Sequence, residues 1–238
     1  MCITYLSSTI DGEYYCCNLT REEVYDTIFR RTSLIDGVKF DLTYNGYYVD
    51  DKIHKARYIV LNSQYADDVK NENGSNKHQI MRSSKLGQGQ FDLVVEALTT
   101  IPDDEWTIAV GCHMPIAKPN TSCEGGGAHL GLLRNMLIAY QNRTVFNEIY
   151  STDDDFDYVT INEDFTNAKG TIIGTFAGHM HNDVSNNVDY PFPSIISCAD
   201  NYTSYKEAGT TNSAVTGAGV MGTITEQSFD VFTVDKYE

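Results

Sequence analysis

The sequence has no apolar stretch near the roughly 18 residues that cross a membrane as a helix, so no spanning helix is expected. Clustered Lys and Arg are also missing. Seventeen basic residues stand against 33 acidic ones, a formal net charge of -16, and such a field repels a nucleic-acid backbone instead of binding it. There is no C-x-x-C pair: Cys2, Cys16, Cys17, Cys112, Cys123 and Cys198 are scattered, which reads as free thiols and not as a disulfide framework. Internal repeats, coiled-coil heptads and low-complexity tracts are absent, which excludes solenoids and fibrous arrays. The opening "MCITYLSSTIDGEYYCC" offers neither a basic n-region nor an apolar h-region, so no signal peptide is expected in this chain.

What is present is enough for a folded core. At 238 residues with 41% hydrophobic and 21% charged residues, the composition is globular, and a single domain spanning 1–238 is the natural count. Residues 20–30, "TREEVYDTIFR", pair Thr20 with Glu23 as a capping box and predict a helix presenting Val24, Ile28 and Phe29 on one side. "GYYVDD" and "KARYIVLNS" read as a hairpin turning at Lys52, Ile53 and His54. A polar loop follows, then "QFDLVVEALTTI" at helical spacing, the strand "EWTIAVGC", a Gly-rich loop and the long helix "LGLLRNMLIAYQN". The acidic "STDDDFD" reads as a solvated loop, and a strand "TIIGTFA" comes next. The order predicts an α/β (α+β) fold, mixed β-sheets layered with helices, with a β-rich tail at about 185–238.

Chemistry gathers where strands end. "GTFAGHMHND", residues 174–183, places His179 and His181 two apart directly after an apolar strand broken by Gly178, so in extended chain their rings project to the same side. An H-x-H pair taken alone reads more often as two surface-loop histidines. A second apolar strand, Ile108 to Gly111, ends in the same way at His113, and Pro115 stops further regular structure. In α/β sheets ligands collect beyond the carboxyl ends of such strands, and convergent neutral imidazoles suit a first-row divalent ion. His113, His179 and His181 are therefore the candidate metal ligands. Arg134 and Lys118 read as exposed cations. The "GGG" at 125–127 reads as a hinge, since it lacks the phosphate-binding G-x-x-x-x-G-K-[ST] pattern. His129 opens the following helix within possible reach of the site, while His54 and His78 fall in loops.

These motifs carry a resemblance. Gln90-Phe91-Asp92 resembles the Gln-aromatic helix start of the calcineurin-like metallophosphoesterases, Gly111-Cys112-His113-Met114-Pro115 resembles their H-x-P strand end, and Gly178-His179-Met180-His181 matches their G-H-x-H. The hairpin and the segment "GTITEQSFDVFTVD" are similar to parts of bacterial and phage-associated members. The resemblance runs from about Glu13 to the end and implies the carboxyl-terminal half of a four-layer sandwich. It also implies a metal-dependent phosphoester hydrolase, phosphatase or phosphodiesterase, with two divalent ions (Mn, Zn or Fe) in the complete site. His113 and His179 would face one ion and His181 the other. A cytoplasmic or phage-associated location, a phosphoester substrate and no membrane partner are the corresponding expectations.

The family's amino-terminal motifs, D-x-H, G-D-x-x-D and G-N-H, have no counterpart here. Those motifs supply the bridging carboxylate, further ligands and the proton donor, so no catalytic residue is assigned. Three imidazoles cannot alone hold two divalent ions about 3.5 to 4 Å apart, because nothing bridges them or offsets their charge. Asp183 and Asp153 to Asp155 show no placement that makes them substitutes. The expectation is an incomplete copy of an active enzyme, with Met1 internal to a longer reading frame and self-association through a sheet left exposed. The alternative is a non-catalytic binding or structural module that keeps the family's shell, for example on a phage or cell surface.

Overall fold

A computed structural model describes residues 7–10, 13–16, 21–41, 46–63, 72, 86–116, 127–150, 158–178, 184–186 and 189–196. Strands β1 (Ser7–Ile10) and β2 (Glu13–Cys16) pair antiparallel as a separate hairpin. A helical stretch follows in three parts: α1 (Arg21–Val24), a π-helical turn (Tyr25–Phe29) and α2 (Arg30–Ser33). The helix is where the sequence places it, but its inward face differs. Tyr25 and Phe29 both pack on Phe40, with ring centroids 5.5 and 5.9 Å away, whereas Ile28 is 36% exposed. The π turn holds more residues per revolution than an α turn, which rotates the face that α-helical spacing would present.

The main sheet has seven strands. Three run as an antiparallel meander, β3 (Val38–Asp41), β4 (Gly46–Asp51) and β5 (Ala56–Leu61), turning at residues 52–55 as the hairpin pattern predicts. Next come α3 (Gln88–Thr99), β6 (Thr107–Cys112), α4 (Gly127–Gln141), β7 (Val145–Tyr150) and β8 (Val159–Asp164). The chain then runs through β9 (Thr171–Ala177), β10 (Val184–Asn186) and β11 (Ser194–Ile196). The strand order is β10-β11-β9-β6-β5-β4-β3. The pairs β5–β6, β6–β9 and β9–β11 are parallel, so these four strands end at one common edge. The class is mixed α/β.

Alternation along the central strands decides which face is covered. Ile59 and Leu61 of β5 and Ile108 and Val110 of β6 are buried against Phe91, Val94 and Leu98 of α3 and Leu133, Met136 and Leu137 of α4, all in one core cluster. Strands β7 and β8 form a two-stranded antiparallel sheet that packs on the outer side of these helices, adding Phe146, Val159 and Ile161 to the same core. The order of layers is sheet, helices, hairpin. The loop from β8 into β9 is pinned at Gly170, whose φ of +74° suits glycine. A Cβ there would stand 2.8 Å from the Trp106 carbonyl oxygen. Among the described residues no helix is long and apolar enough to cross a membrane.

Candidate metal-binding edge

The parallel register pairs Cys112 of β6 with Ala177 of β9, so the next residues, His113 and Gly178, face each other just beyond the ladder. The Gly178 N–H donates to the His113 carbonyl at 3.1 Å. A Cβ built on Gly178 would stand 3.8 Å from His113 Nδ1, so the imidazole lies against the backbone that leads directly into His179. His179 and His181 themselves lie outside the described residues, as do Asp183, Lys118, His78 and Asp153 to Asp155. Topology thus brings the two histidine-bearing strand ends together, 65 residues apart in sequence. Of the three histidines, His113 alone lies among the described residues.

Buried polar groups brace that edge. Ser63, just past β5 and 1% exposed, accepts the Met114 N–H on its Oγ at 2.9 Å. The Cys112 thiol donates to the Met114 carbonyl at 2.8 Å. Burial pushes that thiol up to about 12, so it is protonated at neutral pH. Gln90, fully buried in the first turn of α3, accepts the Asn62 N–H at 2.8 Å and donates to the Asn62 carbonyl at 3.1 Å. In the sequence Ser63 reads only as the last residue of the predicted strand "KARYIVLNS", with no sign of its bond to Met114. Gln90 was legible through the motif that opens its helix.

The remaining histidines are used differently. His129 is 3% exposed at the start of α4 and its Nδ1 accepts the Leu86 N–H at 3.3 Å. Its ring meets Phe91 at 6.2 Å and Tyr150 at 4.9 Å, both edge-on, which seats it among α3, α4 and the outer hairpin. His54 sits in the β4–β5 turn, at the opposite edge of the sheet from His113, with Nδ1 2.7 Å from the Asp51 carboxylate. That contact holds the Asp51 carboxyl below the usual range. Arg134 stands 3.4 Å from the side-chain oxygen of its neighbour Asn135 through both Nε and Nη2. Tyr150, which precedes the acidic stretch 151–157, stands beside His129 and therefore at the end of the helix layer nearest His113. Among the described residues no group of three His, Cys, Asp or Glu is placed to hold a metal ion. No protein-family model matches the chain, and neither a curated protein nor a solved structure matches it significantly.

Proposed function

We propose that the chain is the carboxyl-terminal part of a metal-dependent phosphoester hydrolase, with His113, His179 and His181 as ligands for divalent ions at the carboxyl edge of β6 and β9. The observation that carries this reading is the adjacency of the His113 and Gly178 strand ends, which makes two separate sequence motifs one place in the fold. Divalent ions bound there supply Lewis acidity to a phosphoryl oxygen and lower the pKa of water toward 7. The chain's own contribution is the backbone frame around His113, held by Ser63 through the Met114 N–H and by Gly178 through the His113 carbonyl. Three neutral imidazoles fit one divalent ion well. A second ion needs carboxylates that no motif of this chain supplies.

That shortfall favours a second reading, a metal-binding module without catalysis. One experiment separates the two. The purified chain is titrated with Zn²⁺ or Mn²⁺, and hydrolysis of p-nitrophenyl phosphate and its diester is followed, with and without a supplied amino-terminal half carrying the missing motifs. The hydrolase reading expects weak binding lost in His113→Ala and His179→Ala, with turnover near background until the missing half is supplied. The expected gap is several orders of magnitude, since losing one electrostatic stabiliser alone typically costs about 10²–10³ in rate. Binding without rescue supports the module. Absence of binding that depends on these histidines ends the metal reading, and strong turnover by the chain alone, abolished in His179→Ala, ends the fragment reading.

A further inference from the structure

We propose that Gln90 and Ser63 are positioning residues that fix the His113 end of β6 against the Gly178 end of β9. This rests on the reading of that edge as a metal site, and it concerns side chains that touch neither an ion nor a substrate.

The inference follows from where the sheet ladder stops. β5, β6 and β9 cease pairing at Leu61, Cys112 and Ala177, so the next peptide groups have lost their strand partners while still close to the core. Left alone they would open to water, and the histidine behind them would swing with the loop. Asn62 and Met114 are instead tied to the buried Gln90 and Ser63 side chains, and Gly178 to the His113 carbonyl. The Gln90 carboxamide takes both the N–H and the carbonyl of Asn62, as a neighbouring strand would. It is anchored by its place in α3, where Phe91 and Val94 are fully buried. With Asn62 fixed, Ser63 Oγ stands where it receives the N–H of Met114, the residue immediately after His113. His113 in turn offers its carbonyl to Gly178, the residue immediately before His179.

The path from α3 to the second histidine motif therefore runs through Gln90, residues 62 and 63, residues 113 and 114, and Gly178. A buried glutamine or serine often does no more than satisfy a core donor. Here the two converge on consecutive residues and lead into both histidine motifs, and ligating geometry has to be held within about 0.5 Å to be productive. Groups behind a metal ligand typically account for about 10- to 100-fold in affinity, which sets the size of the expected effect.

The test uses the full chain with Co²⁺ as the probe, followed by its visible ligand-field absorption. Ser63→Ala is expected to weaken Co²⁺ binding by about 10- to 100-fold and to alter the band shape, while Ser63→Thr, which keeps the hydroxyl, returns both toward wild type. Gly170→Ala, at the opposite edge of the sheet, is expected to lower stability and leave Co²⁺ affinity unchanged. Ser63→Ala and Gln90→Glu variants that fold and bind Co²⁺ with wild-type affinity and spectrum would overturn the inference while the metal reading stands. Wild-type chain with no Co²⁺ binding sensitive to His113→Ala would remove both. If the Ser63 and Gln90 variants do not fold, amide hydrogen exchange of the metal-free wild type decides. The Asn62, Met114 and Gly178 amides are expected to exchange as one protected group, and Gly178 exchanging far faster than Asn62 would refute the coupling.

Discussion

Arg57 shows how much a single residue can hold without being part of any site. It is 3% exposed, and its guanidinium grips the Asp50 carboxylate through Nε at 2.6 Å and Nη2 at 2.8 Å. Nη1 caps the end of α3 through the Ala97 carbonyl and Thr100 Oγ1, and the group lies 4.6 Å from the centre of the Tyr48 ring. Arg57→Leu is expected to cost about 3–5 kcal/mol, because it strands the Asp50 carboxylate without its partner. Replacing both residues by apolar ones should recover part of that loss, as read from urea midpoints. Gly170→Ala is the second residue-scale prediction. A left-handed φ costs a side chain about 1–2 kcal/mol, and contact with the Trp106 carbonyl adds to it, so a fall of at least that size in unfolding free energy is expected. Legibility at this scale was uneven. His113 stood out because an uncharged strand ran straight into it. Arg57 and Ser63 did not: both fall in the predicted strand "KARYIVLNS", where spacing gives no sign of the polar partners they hold.

Among the elements, those with a strongly apolar run or face were read correctly: α3, α4, β5, β6 and β9. The hairpin β7–β8 was missed for a physical reason. It buries one face only, and on β7 the burial falls on Phe146 while Val145 and Ile149 remain 52% and 63% exposed, so neither the helical nor the alternating period is visible in "VFNEIY". Docking of that hairpin has an electrostatic signature. Gln88 of α3 reaches across to both the N–H and the carbonyl of Thr160. Beside it, burial and then the nearby Asp92 charge raise the Glu163 carboxyl above its ordinary range. A raised carboxyl favours the folded state while protonated, so this contribution is fully present below the ordinary glutamate value and is lost as pH rises through the raised one. Glu163→Gln is therefore expected to raise the melting temperature at pH 7 and to leave it nearly unchanged at pH 4, measured by calorimetry at both values. A larger gain at pH 4 would contradict the assignment.

For the molecule as a whole, an exposed tyrosine on an interior strand is the feature that sequence hydrophobicity could not locate. Tyr58 lies on β5, in the interior of the sheet, yet is 44% exposed. The register sets it between Val49 of β4 and Ala109 of β6, with Tyr47 and Val60 partly exposed nearby. An apolar patch of this kind is expected to bind 8-anilinonaphthalene sulfonate under native conditions. Tyr58→Ser should lower that fluorescence without shifting the urea midpoint by more than about 0.5 kcal/mol in free energy, the usual range for a surface change. Fluorescence identical in the variant would place the dye elsewhere.

The parallel order of β5, β6 and β9 also sets a schedule. At about 5–20 residues per second, a nascent chain makes β9 roughly 6 to 23 seconds after β5. Until then β6 has no partner on its far side, and the peptide that will clasp Gly178 faces solvent. The His113 edge is thus completed only after β9 and Gly178 have been made, well after β6 itself. The yield of correctly assembled chain should depend on how slowly that stretch is translated and how well the waiting edge is shielded, even where the finished protein's stability is unchanged.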